Sequence, residues 1–403
     1  MSNYSTKLAL AGGAALAIGF AQGAWAGAIE TAGQGARYIG AGGIGVAEDP
    51  VTVFHNPGGV ANITGTRIEG DLLYMDAELG YTPPGGKKQS AQKDVYQPGF
   101  FVATDALKPV GLGFGIYSPF ARDIHYDEDP AANFPELRGK NVRLDFAPVI
   151  ATKIGDKLAV GGGPIYARLT VKETSPVDPS TGFPEIDSEA DGDGWGAALG
   201  AHYKATDKVS FGAVWKSRVN VNAEGTSDTR TPGPDSVVLG SSDVDLDWKY
   251  PQQVGLGASY RATPAVRVNA DITWTEWSYW NEVPVHLQGA PFDPPAYAID
   301  GEDAWKYGIG IEYDANEKTV LRLAYQYDER GIPEDNVSPH KPDAEGSNIS
   351  AGVGYDVNKN FSIDFAYYIT LLHDDDVTSN VHGYPGKYEI DAQGVVVSAI
   401  VGL

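Results

Sequence analysis

The 403-residue sequence holds 53 acidic against 30 basic side chains, a formal net charge of −23, together with 50 glycines, 22 tyrosines and no cysteine. So acidic a chain, with its Lys and Arg dispersed, lacks the basic face that nucleic acid demands. Without cysteine no disulfide holds it together, which is unusual for a small secreted domain and ordinary for a large barrel.

The first element is a leader. Lys7, the apolar run "LALAGGAALAIGF" from Leu8 and the "AWA" ending at Ala26 form the three-part pattern of a cleaved signal peptide over residues 1–26. Its core is shorter than the roughly 18–20 residues that span a bilayer as a helix, and no later stretch is apolar enough to do so. The exported chain is therefore soluble or crosses a membrane as a closed sheet. Residues 27–64 follow with neither helical nor strand periodicity. Pro50 and Pro57 break regular structure, Asn56-Pro57-Gly58 reads as a turn, and Ile39, Ile44, Val46, Val51, Val53, Phe54 and Val60 make a disordered tail a poor account. The expectation is a hatch, or plug, folded into the lumen of a barrel over 65–403.

From there the chain alternates. "VRVNADITWTEW" puts Val266, Val268, Ala270, Ile272 and Trp274 on one face and Arg267, Asn269 and Asp271 on the other. "TVLRLAYQY" opposes Leu321, Leu323 and Tyr325 to Arg322 and Gln326. "VSFGAVWKSRVNV" opposes Phe211, Ala213 and Trp215 to Lys216, Arg218 and Asn220. Strands are expected at 66–81, 98–105, 110–118, 141–153, 157–172, 195–204, 207–222, 246–260, 264–279, 303–314, 317–328, 346–357, 359–372 and 386–402. Their connections alternate between tight turns and long loops, the signature of an outer-membrane barrel. The fold class is all-β: a transmembrane antiparallel barrel of about 14 strands, its lumen too wide for its own side chains to fill. Trp274, Trp277, Tyr279 and Trp280 suit an interfacial aromatic girdle.

Several stretches carry a specific resemblance. "GARYIGAGG…AEDP…FHNPGG" within residues 35–59, "VGLGFGIYSPF" at 110–120, "WKYPQQVGLGASYR" with "VRVNADITWTEWSYW", and the block from Asp303 to Asp343 occur in the order seen in the FadL family. The sequence thus resembles outer-membrane transporters of long-chain fatty acids and other hydrophobic compounds. Gly58 stands where the family signature has alanine, and Leu403 where such barrels commonly end in an aromatic residue. The resemblance implies a hatch and gate at Val53, Phe54, His55, Asn56, Pro57 and Gly58, apolar capture among extracellular loops, and release coupled to an irregular third strand. Gly111, Gly113 and Gly115 leave one face of that strand without side chains, which fits either a kink with a lateral opening or room for a packed hatch.

Candidate ligand-binding residues are Phe120, Phe134, Phe183, Val238, Leu239 and Phe292, with Arg37 and Arg122 as candidates to orient an acid head group, although a salt bridge inside the acidic lumen is the favoured reading of each arginine. Other motifs are weak. "GAGGIG" at 40–45 lacks the strand and helix of a nucleotide site. "DSEADGDG" at 187–194 begins like a calcium loop but has Ala198 at the twelfth position, and it reads as a solvated charge run, as does "HDDD" at 373–376. Ser118 and His125 lack a third catalytic partner. The expected protein is a monomeric, non-enzymatic outer-membrane transporter with no cofactor and no metal. Its partners are a hydrophobic small molecule, outer-membrane lipid and lipopolysaccharide. A general diffusion porin and a channel for aromatic hydrocarbons are the alternatives.

Overall fold

The computed structural model describes residues 29–403 apart from 130, 178–183, 233–234 and 290–294. The expected leader, Phe183 and Phe292 lie outside the described residues. An inner segment carries α1 (Ala36–Ala41), α2 (Thr52–His55) and a 3₁₀ turn (Pro57–Asn62). Strands then follow: β1 (Thr66–Thr82), β2 (Gln89–Leu107), β3 (Val110–Tyr126), β4 (Leu137–Ile154), β5 (Leu158–Pro176), β6 (Glu185–Lys204), β7 (Val209–Lys216), β8 (Val219–Arg230), β9 (Val238–Tyr250), β10 (Gln253–Thr263) and β11 (Val266–Thr275). The remainder are β12 (Glu282–Val283), β13 (Val285–Gln288), β14 (Tyr297–Ala298), β15 (Ala304–Asn316), β16 (Thr319–Asp328), β17 (Gly346–Asn358), β18 (Phe361–Leu372), β19 (Asp375–Val377) and β20 (Gly386–Gly402).

Four wall positions are built from two pieces, one of them from β18 and β19, which both pair with β20. β7 and β8 both pair with β6, β10 pairs with β7 and β9 with β8, and β11 and β13 continue the circuit beside them. Every neighbouring pair is antiparallel, and β1 pairs with β20, so the sheet closes on itself with 14 positions. Tight turns gather at one end, at 108–109, 155–157, 205–208, 264–265, 317–318 and 359–360. The alternation is that of a membrane barrel: Leu321, Leu323 and Tyr325 face outward, 46%, 56% and 46% exposed, while Arg322 between them is buried in the lumen. Among the described residues no helix is long and apolar enough to cross a membrane.

Strands run further toward the long-loop end than alternation suggested. β2 begins at Gln89 rather than 98, and β6 at Glu185 rather than 195. Polar side chains occupy both faces there, so no hydrophobic period marks the strand. The run at 187–194 is consequently extended chain, paired residue for residue with β5 and β8, and not an ion-binding loop. The phase also slips at Ser217-Arg218. Lys216 points inward, but beyond the break Val219 and Val221 are buried and Asn220 is exposed. Trp277 and Trp280 do not join a girdle. β11 stops at Thr275, Glu276 N donates to Gln252 O at 3.0 Å, and the chain turns into the lumen, where both indoles are fully buried before β13 resumes pairing.

Candidate functional site

Short helices leave backbone groups without intrahelical partners, and the inner segment finds those partners on the wall. Asp271 on β11 accepts from Gly43 N (2.7 Å) and Ile44 N (3.1 Å). Asn269 donates to Ala41 O, Ser350 to Ile39 O, and Ser398 accepts from Ala36 N. Asn56 is a clip: its Oδ1 accepts from Gly58 N, and its Nδ2 donates to Ile44 O and to Ala201 O of β6. Pro57 opens the 3₁₀ turn, where a missing N–H costs nothing. His55 stacks on Tyr38 with ring centroids 3.2 Å apart and meets Gln34 O.

The wall is notched to receive this segment. A Cβ on Gly111 would stand 2.9 Å from Val60 O, one on Gly113 2.7 Å from a methyl of Val53, and one on Gly115 3.0 Å from Val53 and Phe101. Even Gly58 is tight, since a methyl there would come 2.7 Å from Gly200 O, which explains the departure from alanine. Val51, Val53, Phe54, Val60 and Ile63 pack with Phe101, Tyr117, Val149 and Ile165 into one apolar cluster. At the tight-turn end, ion pairs tie the segment to the wall: Arg37 to Glu312, Glu48 to Arg267 and Asp49 to Arg67, with Arg322 joining Glu312 to Asp364.

The wall itself is interrupted once on this side. β2 and β3 pair from Leu107↔Val110 to Phe100↔Ile116 and no further, and β3 slips against β4 between Tyr117 and Phe120. Among the described residues, 89–99 of β2 thus have β1 as their only strand neighbour. Into the gap run residues 29–34. Ala121 N donates to Ile29 O and Thr31 N to Pro119 O, while Gln34 and Gln97 both donate to Ser118 O. Gly111, Gly113 and Gly115 keep an unbroken register with β4. The irregularity sits at Ser118-Pro119 instead, and the glycines are the notch for Val53 and Val60.

Above the segment the lumen is apolar. Ile29, Phe120, Ile124, Phe134, Leu169, Val221, Leu246, Trp248, Tyr250, Trp277, Trp280 and Ile332 belong to one buried cluster reaching the loop end. An open space of ≈ 90 Å³ lies between the segment and β7, β10, β11, β15 and β16, lined by Tyr38, Ile44, Phe54, His55, Lys216 and Lys306 among others. Lys306 is neutralised by Glu30 and Asp328. Lys216 has no ion-pair partner among the described residues, and its Nζ rests 3.3 Å from the centroid of the Phe54 ring. Loops cover the far end: His382 stacks on Tyr297 at 4.0 Å, Lys341 lies over the same ring, and Lys341 and Arg122 share Glu173. Burial, then the Lys341 charge, lowers the His382 imidazole to about 4.

Of the residues singled out from the sequence, Val53 and Phe54 belong to the apolar cluster of the inner segment, and Phe120 and Phe134 to the one that reaches the loop end. Val238 and Leu239 are exposed at the start of β9, far along the hairpin from that cluster. Arg37 is spent on Glu48, Asp49 and Glu312, and Arg122 is bonded to Glu173. Sequence reasoning missed Lys216, Asp271 and the inward tryptophans. Lys216 was visible as a cation on the wet face of a strand, but nothing local set it apart from cations that are paired.

Residues 14–401 match the family described as "Outer membrane protein transport protein (OMPP1/FadL/TodX)". The long-chain fatty acid transport protein of Escherichia coli O6:H1 is 21% identical over 408 residues, 91% of this chain and 90% of the relative. A solved FadL homologue from Pseudomonas aeruginosa superposes with a TM-score of 0.82 at 17% identity, covering 93% of this chain and 99% of that one. The toluene transporter TodX of P. putida does so at 0.75 and 18%, covering 92% and 99%.

Proposed function

The chain belongs to the OMPP1/FadL/TodX family of outer-membrane transport proteins, and from that premise we propose that it carries hydrophobic small molecules with an acidic head group inward across the outer membrane. The carrying observation is the course of the lumen. An apolar cluster fills the lumen from the loop end down to Ile29, and a separate space lined by residues 30–33, Tyr38, Ile44 and Phe54 lies beside a break in the wall. Long acyl chains gain about 0.8 kcal/mol for each methylene taken out of water, so an apolar route draws them in where a water-filled pore offers nothing.

On this reading the inner segment is the hatch, residues 1–26 are its cleaved leader, and Lys216 meets the carboxylate. Exit is sideways between β2 and β3, once residues 29–34 withdraw from Ser118 and Pro119. The barrel acts alone, with residues 29–34 running into the gap between β2 and β3, and it binds and releases its cargo without catalysis. The aromatic lining at Phe120, Tyr250 and Trp277 supports a second reading, carriage of aromatic hydrocarbons. A deletion strain complemented with wild type or Lys216→Met, grown on a fatty acid, an alkane or toluene, separates the two. Acid carriage predicts loss on the fatty acid alone with Lys216→Met. Equal growth of both strains on all three would remove Lys216 from the account.

A further inference from the structure

Glu69 and Asp71 project into the lumen two residues apart on β1, 1% and 7% exposed, where the inner segment is seated. Glu69 Oε2 accepts from Val51 N at 2.9 Å and so fastens the segment directly, just before α2. Asp71 is flanked by Gly99 of β2 and Ser398 of β20, and the Ser398 hydroxyl accepts from Ala36 N at 2.8 Å. Gln34 uses its amide N–H on Ser118 O and presents Oε1 instead: a Cβ on Gly99 would stand 3.0 Å from that oxygen and 3.3 Å from Asp71 Oδ2. Both oxygens of Asp71 are buried, and neither receives a formed hydrogen bond.

The site is therefore rich in acceptors and poor in donors, and its charge is unbalanced in the same sense. Among the described residues no ion pair joins either carboxyl. The charged groups that face them are acids too, Asp49 of the inner segment and Asp364 of β18. Nearby arginines are already engaged: Arg37 and Arg67 by Asp49, Arg322 by Asp364 and Glu312. From β2 and β20 the pair meets Gly99, Phe101, Ser398 and Ile400, none of which titrates. Two adjacent buried carboxylates without a cation do not both stay ionised. What the site lacks is one hydrogen between two sets of oxygens.

We propose that Glu69 and Asp71 share one proton while the inner segment is seated, and that loss of this proton releases the segment. The inference rests on the reading of residues 29–63 as a hatch and adds a control to it. Unseated, the pair lies open to water and carries no proton near neutral pH, as ordinary carboxyls do. Seated, it binds one. The seated form is therefore favoured at low pH and gives way as pH rises past the titration of the seated pair. For one proton the seated-to-unseated ratio falls by up to about tenfold per pH unit.

The test is planar-bilayer recording of the full-length protein from about pH 6 to 9, where lysine and arginine stay charged. Wild type should open rarely at the acid end and up to about tenfold more often for each unit above the titration. Glu69→Gln reproduces the protonated acid, since its carbonyl takes Val51 N and its amide donates to Asp71, and it should stay quiet throughout. Asp71→Asn, whose amide donates to Glu69, carries the same expectation should the first variant fail to assemble. A flat wild-type profile, the same pH response in wild type and variants, or openings that follow sodium or calcium at constant pH overturns the shared proton. A variant lacking residues 27–62 that conducts no more than wild type overturns the hatch reading itself, a separate result.

Discussion

Asp271→Ala should unseat the inner segment. The Asp271 carboxylate holds two consecutive backbone amides, Gly43 and Ile44, at 2.7 and 3.1 Å, at the turn that ends α1. Fit is close enough that a Cβ on Gly42 would stand 2.7 Å from Oδ2, so no other wall group takes over. A hydrogen bond to a charged group contributes about 1.5–3 kcal/mol. Two lost together remove roughly 3 kcal/mol even at the low end, and at 1.4 kcal/mol per factor of ten the seated-to-unseated ratio drops about a hundredfold. Planar-bilayer recordings measure this as brief openings, rare in wild type and frequent in Asp271→Ala. A variant lacking residues 27–62 sets the fully open level. If that deletion conducts and Asp271→Ala stays as quiet as wild type, the carboxylate does not hold the segment and the argument fails.

Gly200→Ala should act similarly through shape: its methyl would sit 2.7 Å from the Pro57 ring, so the turn at Asn56 must lift, and openings should rise although no hydrogen bond is deleted. The loop cover should loosen in acid. His382 is held near 4, below the ordinary imidazole value near 6.5, by burial and the Lys341 charge against Asp300 and the Ala298 carbonyl. The unfolded loop therefore binds the proton first. Stability is complete above about pH 6.5 and is lost as pH falls toward 4. Proteolytic nicking within 329–345 and 378–385 should rise between pH 7.5 and 5 in wild type, and much less in His382→Phe; identical profiles would refute the assignment.

The barrel was legible because its greasy and wet faces alternate where lipid is, as at Leu321, Arg322 and Leu323. Above the lipid that contrast disappears, which is why β2 and β6 read as loops over half their length. Breaks in the wall were hidden for a related reason. Ser217-Arg218 and the inward turn at Glu276 depend on which distant strand runs alongside, and a period-2 pattern carries no such information. The glycines of β3 were recognised as special, yet only the position of Val53 and Val60 decides what they accommodate. Lys216 lacks the acids that pair with Lys306, Glu30 of the inner segment and Asp328 of the facing strand, and nothing in the sequence around Lys216 marks that difference.

The way the inner segment is fastened has a consequence for the cell envelope. Its backbone amides and carbonyls are met by Asp271, Asn269, Ser350 and Ser398, all on the inside of the cylinder. Withdrawing the whole segment would strip those groups bare, admit water and leave a leak for ions and antibiotics. An exit through the side, beside Ser118, needs only the first few residues to move. On the sideways exit proposed above, the membrane is crossed by grease without being breached.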